Sequence, residues 1–243
     1  KALLRGSLNP PNPERSILMA SSAQKKVYGA RFSYVQNMFN RVAKTDDSGN
    51  PVMKNGKQIT EQQCTLIFDV GGDARKVLDE MMREAIVAEW GEKGIEKAKA
   101  GLIRSPILAG DGKEARIKTG DKAGQIHEGL GPDKFFIRVA TRLEAPVRFR
   151  SETIPATYGA GDDQIKSGDY GIAVLHAYTW NNSKNGDGVS FGIDYLQKTK
   201  AGEPLGGTGA GGVDVGSVFE KVEDVGDAPS ETKTGAGAAG LFG

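Results

Sequence analysis

Three cations and an aromatic ring recur at every second position in the run K-F-F-I-R-V-A-T-R, from Lys134 to Arg142. In an extended chain Lys134, Phe136, Arg138, Ala140 and Arg142 share one face, and Phe135, Ile137, Val139 and Thr141 share the other. The second set is a core face. Cations spaced along a strand track a phosphate backbone, and a ring between them stacks on a base. A solvated strand face with one covered Phe is the plainer reading of the same pattern. Val147-Arg148-Phe149-Arg150 repeats the alternation of apolar and cationic residues. The candidates for stacking are Tyr34, Phe136, Tyr178 and Trp180. Those for phosphate contact are Arg31, Lys134, Arg138, Arg142, Arg148 and Arg150. Each ring has an alternative role in the wall of a core, where Tyr keeps its hydroxyl outward.

Catalytic chemistry has less to work with. Only two histidines occur, His127 and His176. His127-Glu128 lies in a Gly-flanked loop and is the one candidate general base, but no Ser/His/Asp order or metal spacing accompanies it. The single cysteine, Cys64, lies in an apolar run, which excludes a disulfide framework and multi-cysteine zinc sites and predicts a buried, inert thiol. The turn V-G-G-D-A after Phe68 lacks the Lys and Ser of a P-loop, and an acid at a helix start repels an anion. No cofactor, metal or enzymatic activity is expected.

These residues need strands to present them. Lys26 to Val35 alternates, with Tyr28, Ala30, Phe32 and Tyr34 on one side. Gln63 to Val70 is a second strand, with Cys64, Leu66 and Phe68 on one face. Asp73 is a helix N-cap, and Val77, Leu78, Met81, Met82, Ala85, Ile86 and Trp90 follow at helical spacing as core packing. Gly91 to Pro132 is charged and glycine-rich, without clear periodicity, a length that marks a functional or disordered insert. Asp169 to Asn181 is a long strand. Its small residues Gly171, Ala173, Leu175 and Ala177 suit a tight barrel interior or a covering helix, and Tyr178 and Trp180 lie on the opposite side. A last strand carries Val189, Phe191, Ile193 and Tyr195 together.

Charge is nearly balanced in the 243 residues, 32 basic against 31 acidic. After Gly206, however, six acids stand against two bases, leaving a body of 30 basic and 25 acidic residues. A basic body with an acidic tail points to anionic ligands. The expected organisation is an extended arm over 1–22, a barrel domain over 23–206, and a flexible acidic tail over 207–243. No run of about 18 apolar residues suggests a membrane span, and no signal-peptide core opens the chain, which predicts a soluble intracellular protein.

Five strands with one major helix between the second and third, and no βαβ alternation, predict a mainly β fold. A five-stranded Greek-key barrel of the oligonucleotide-binding type with a long insert fits, as do other small barrels and sandwiches. The residues A-R-F-S-Y (Ala30 to Tyr34), the strand then helix after Gln63, the aromatic strand around Tyr178, and L-Q-K-T-K-A-G-E-P-L-G-G (Leu196 to Gly207) together resemble a family of tailed-phage proteins. That family is related to the phage single-stranded DNA-binding proteins of replication. The resemblance spans residues 27 to 207. It implies an oligonucleotide-binding barrel that coats single-stranded DNA during replication, recombination or repair in the host cytoplasm, without enzymatic activity or metal. It also implies an acidic tail ending in an aromatic residue. Asp224, Asp227, Glu231 and Phe242 are then candidate contacts for phage or host replication proteins, although Gly243 follows the Phe and the tail is thinly charged. Self-association is left open. The alternatives are a virion or assembly protein built on a small β-barrel, and an enzyme using His127 and Glu128.

Overall fold

The computed structural model describes residues 20–45, 49–182 and 186–205. The expected acidic tail, with Asp224, Asp227, Glu231 and Phe242, lies outside the described residues, as does the expected arm up to residue 19. Residues 20–22 run beside a strand: Ser22 N–H donates to Ala177 O (2.8 Å) and Thr179 N–H to Ala20 O (3.0 Å).

Alternation of apolar and polar residues produces five long strands among the described residues. They are β1 (Lys25–Ser33), β2 (Thr60–Asp69), β3 (Lys134–Thr141), β4 (Tyr170–Asn182) and β5 (Gly186–Lys200). Antiparallel ladders join β1 to β2, β2 to β3, β4 to β5 and β4 to β1. The ring closes where β5 runs parallel to β3, through Phe191–Val139 and Gly192–Ala140. The result is a mainly β, five-stranded Greek-key barrel of the oligonucleotide-binding type, with its major helix between β2 and β3.

Inside the barrel, the small face of β4 does what its composition predicts. Ala173, Leu175 and Ala177 are fully buried, and a Cβ at Gly171 would lie 2.3 Å from the Phe32 ring. Helix α1 (Ala74–Trp90) adds Leu78, Met81, Ala85 and Ile86 to the same core. Asp73 occupies the predicted N-cap position, but its carboxylate makes no capping bond and pairs with Lys76 instead (3.1 Å).

Two bulges shift the alternation that the sequence predicts. Gly29, with φ 73°, interrupts the pairing of β1 with β4 between Val27 and Ala30. Val27, Ala30 and Phe32 all point inward as a result, and Tyr28 is left 61% exposed. In β5 the register passes from Leu175–Ile193 to Val174–Tyr195, skipping Asp194. Tyr195 is therefore half-buried outside the core, and Leu196 and Lys198 turn inward.

The insert is ordered structure. Helix α2 (Glu92–Lys99) packs on α1 so closely that a Cβ at Gly94 would lie 2.8 Å from Ile86. Beyond it, Ile103–Arg104 pairs with β5 and Leu108–Ala109 with β3, extending both strands on one side of the parallel seam. On the other side, Val147–Phe149 pairs with β5 at Leu196–Lys198.

Lys198 carries its charge into the interior, where it meets the fully buried Asp169 at 2.8 Å. The Asp169 carboxylate also accepts from the N–H groups of Lys166 (3.0 Å) and Gly202 (3.1 Å). Burial works to raise the pKa of this carboxyl, but the bond from Lys198 and the two backbone donors outweigh it and hold it below the ordinary carboxylate value. Lys166 Nζ also reaches this carboxylate (3.3 Å), so Lys198→Met leaves it one cation and should cost about 3 kcal/mol in urea denaturation, the low end for breaking a buried pair. A depressed carboxylate contributes stability that is complete above its unfolded pKa, near 4, and is lost as pH falls through the lower folded value. Asp169→Asn should therefore be less stable at neutral pH and lose less on acidification than the parent; equal acid sensitivity in the two would contradict this role.

Candidate functional site

On the outer face of β2 and β3 the residues pair as Ile67–Phe136, Thr65–Arg138 and Gln63–Ala140. The first pair is covered. Ile67, Phe136 and Ala115 form a second apolar cluster with Leu108, Ile126, Leu130 and Leu205 packed on it. The insert thus closes over this end of the face. Where it stops, a cavity of about 390 Å3 opens. Its floor is Gln63, Thr65, Ile67, Phe136 and Arg138; Ser33, Tyr34 and Asn37 form one wall, and Glu114, His127, Glu128 and Leu130 the other.

Tyr34 stands at the end of β1 with left-handed backbone (φ 56°, ψ 30°) and is 47% exposed. Its ring meets the His127 ring edge-on at 6.3 Å. Arg138 is exposed and reaches Glu114, 3.6 Å to the carboxylate and 3.2 Å to the carbonyl oxygen. An exposed pair of this kind is worth about 0–1 kcal/mol, so a phosphate can take the carboxylate's place at little cost. Arg142 is exposed, one residue past the end of β3. Its carbonyl accepts from Arg41 (2.8 Å), which also donates to Thr60 O (2.8 Å). Arg41, in the loop between β1 and β2, was not among the predicted contacts. The sequence shows it only as one cation in a polar turn-rich segment, and its place beside Arg142 is set by tertiary pairing.

The structure brings Tyr34, Phe136 and Arg138 together and sets Arg142 beyond them. It places the other predicted residues elsewhere. Phe136 lines the cavity but is only 2% exposed, so the open ring expected of it is corrected: the insert that the sequence left unplaced covers it. Lys134 is held by Asp133 and by Asp69 (2.7 Å), and these carboxylates raise its pKa. Arg31 donates to the carbonyls of Gly168 (3.3 Å) and Glu203 (3.1 Å), with its guanidinium over Tyr170, so it holds the chain leaving β5. Arg148 and Arg150 flank Phe149 beside β5. Arg150 is exposed, has left-handed backbone (φ 50°) and lies 5.0 Å over the Phe149 ring.

Tyr178 and Trp180 lie half-buried on the outer face of β4, opposite Ser190 and Gly188 of β5, and do not line the cavity. There the rings lie on glycines: a Cβ at Gly188 would be 2.1 Å from Trp180, and one at Gly192 2.3 Å from His176. Trp180 Nε1 donates to Ser190 (3.0 Å), and His176 Nδ1 lies 2.7 Å from Asp194. The two histidines are thus on different faces, His127 in the cavity and His176 on β4. Among the described residues no group of three or more His, Cys, Asp or Glu is placed to hold a metal ion, and no helix is long and apolar enough to cross a membrane.

No family model matches the chain, and no curated protein matches its sequence; the link to the phage family stays a resemblance. Among solved structures, the chain is similar to the single-stranded DNA-binding protein of bacteriophage Enc34 in complex with ssDNA. That likeness has a TM-score of 0.48 at 15% identity and covers 75% of this chain and 89% of the other. A second structure of the Enc34 protein gives 0.45 at 16% identity, over 81% and 90%. The single-stranded DNA-binding protein gp2.5 of bacteriophage T7 gives 0.36 at 13%, over 86% and 98%.

Cys64 borders the cavity yet is only 3% exposed, and burial pushes its thiol up to about 12. It holds its proton at neutral pH and is no nucleophile. A disulfide reagent at about pH 8 should find no reactive thiol in the folded protein and one after denaturation; rapid labelling of the folded chain would show that the cavity opens to it.

Proposed function

We propose that the protein binds single-stranded DNA non-sequence-specifically across the outer face of β2 and β3, and that it takes part in phage DNA replication, recombination or repair. The observation that carries this reading is the uncovered stretch of that face, with the Tyr34 ring on one side, Arg138 on its floor and Arg142 exposed beyond it at the strand end. In barrels of this topology the β2–β3 face and the adjoining loops are the oligonucleotide-binding surface. Tyr34 stacks on a base, and Arg138 and Arg142 neutralise phosphates and release counterions. A ring and a line of cations suit a sequence-tolerant coat. Bases are read as stacking faces, and the backbone as a line of charge.

In this reading residues 207–243 are a regulatory tail. Its acids compete with DNA for the cationic face, and Asp224, Asp227, Glu231 and Phe242 are offered to replication proteins once DNA displaces them. Tyr178 and Trp180 form a further ring-bearing surface on β4 for a strand that continues around the barrel.

Gel-shift titration with labelled oligo-dT across a salt series tests the central claim. The parent should bind saturably. Tyr34→Ala should weaken binding by about 1–3 kcal/mol, the worth of one base–ring stack. Arg138→Ala should reduce the slope of log affinity against log salt by about 0.7, one phosphate's share on a single strand. No saturable binding at low salt, or binding indifferent to both variants, removes this face from consideration. Deleting residues 207–243 should tighten binding at low salt and matter less as salt rises; unchanged or weaker binding would mean that the tail does not compete.

A further inference from the structure

A second cavity, of about 520 Å3, lies on the far side of the short turn Val35–Met38 from the first. The two adjoin across one peptide of β2, with Gln63 lining the first and Gln62 the second. Its lining is mixed: Gln62, Glu144 and Arg148 are joined by apolar groups, Phe39 just after the turn, Pro146 and Val147 at the start of one strand, and Pro155 and Ala156 from the segment bridged to it at Arg148–Pro155. Tyr158, 46% exposed, extends the Phe39 ring outward, with centroids 6.0 Å apart. Glu144 lines the cavity as an exposed carboxylate.

Arg148 also lines this cavity, and its Nε is fully buried without a hydrogen-bond partner. Buried polar atoms are nearly always satisfied, so a half-buried guanidinium that leaves one donor uncommitted beside an empty volume has capacity for a partner from outside. A guanidinium fork matches a phosphate in charge and shape. The Phe39–Tyr158 rings, with the apolar part of the lining, suit the flat face of a base.

We infer that this cavity is a second nucleotide subsite. A single DNA strand seated at Tyr34 and Arg138 passes the Arg41–Arg142 corner and places a phosphate against Arg148 and a base against Phe39. The inference rests on the proposed use of the β2–β3 face and extends it around the end of the barrel. The loop between β1 and β2 then holds DNA on both of its sides: Tyr34 contacts one nucleotide, and Phe39, five residues on, contacts another.

Two oligo-dT lengths separate the subsites, about 4 and about 16 nucleotides, the range occupied per barrel of this kind. For the longer one, Arg148→Met should weaken binding roughly tenfold and lower the salt slope by about 0.7, and Phe39→Leu should weaken it with little change in slope. The loss should fall chiefly on the longer oligonucleotide, whereas Arg138→Ala should affect both. Because Arg148→Met removes an unsatisfied buried donor, its melting temperature should equal or exceed the parent's. A melting temperature that falls together with affinity would make Arg148 a structural residue and overturn the inference. Sensitivity to Arg138→Ala with long-oligonucleotide affinity indifferent to Arg148→Met overturns the inference and leaves the β2–β3 reading standing. A parent protein that binds neither length overturns both.

Discussion

The barrel is held closed by a seam of two residue pairs, Phe191–Val139 and Gly192–Ala140. Parallel neighbours cannot be joined by a tight hairpin, so a long connection must carry the chain from β3 to β5. Here it passes through β4, which lies on the other side of β5. So short a seam leaves both strands with unpaired backbone on either side. The insert supplies partners before it, at Leu108–Ala109 and Ile103–Arg104, and Val147–Phe149 supplies them after it. Long connections that resemble decoration in the sequence are therefore part of what lets a small barrel close.

The same connections decide which surface stays open. The insert that pairs with β3 also folds over Ile67 and Phe136, turning half of an exposed face into a second small core. What it leaves bare is the half bearing Thr65, Arg138 and the strand end. Position along β3, more than side-chain type, thus sorts the alternating cations. Lys134 is taken up by carboxylates, Arg138 lies at the cavity, and Arg142 lies beyond it.

Much of the fold was legible in local pattern. Period-two runs located all five strands, the Leu78–Met81–Ala85 stripe located α1, and Gly171, Ala173 and Ala177 identified the inner face of β4. The bulges were hidden, because one inserted residue reverses inside and outside without altering composition: Tyr28 groups with Ala30 and Phe32, and Tyr195 with Phe191 and Ile193, until Gly29 and Asp194 displace them. Helix α2 was missed because Gly94 reads as a breaker, although it is there to let two helices touch. At the site, Tyr34 and Arg138 could be nominated from residue type and spacing. The burial of Phe136 and the commitment of Arg31 to two carbonyls depend on segments far away in the chain, and no local pattern encodes them.

Three non-glycine residues among those described hold left-handed backbone: Tyr34, Asn55 and Arg150. Asn55 is at ease there, since asparagine visits that region readily in tight turns. For a tyrosine or an arginine the conformation carries a penalty of about 1–2 kcal/mol, and half-exposed side chains recover little of it through packing. Selection acting on thermal robustness alone would favour glycine at both positions. A ring and a cation occupy these positions instead, where the main chain resists them, and this tension separates Tyr34 and Arg150 from the many other polar and aromatic residues on the surface.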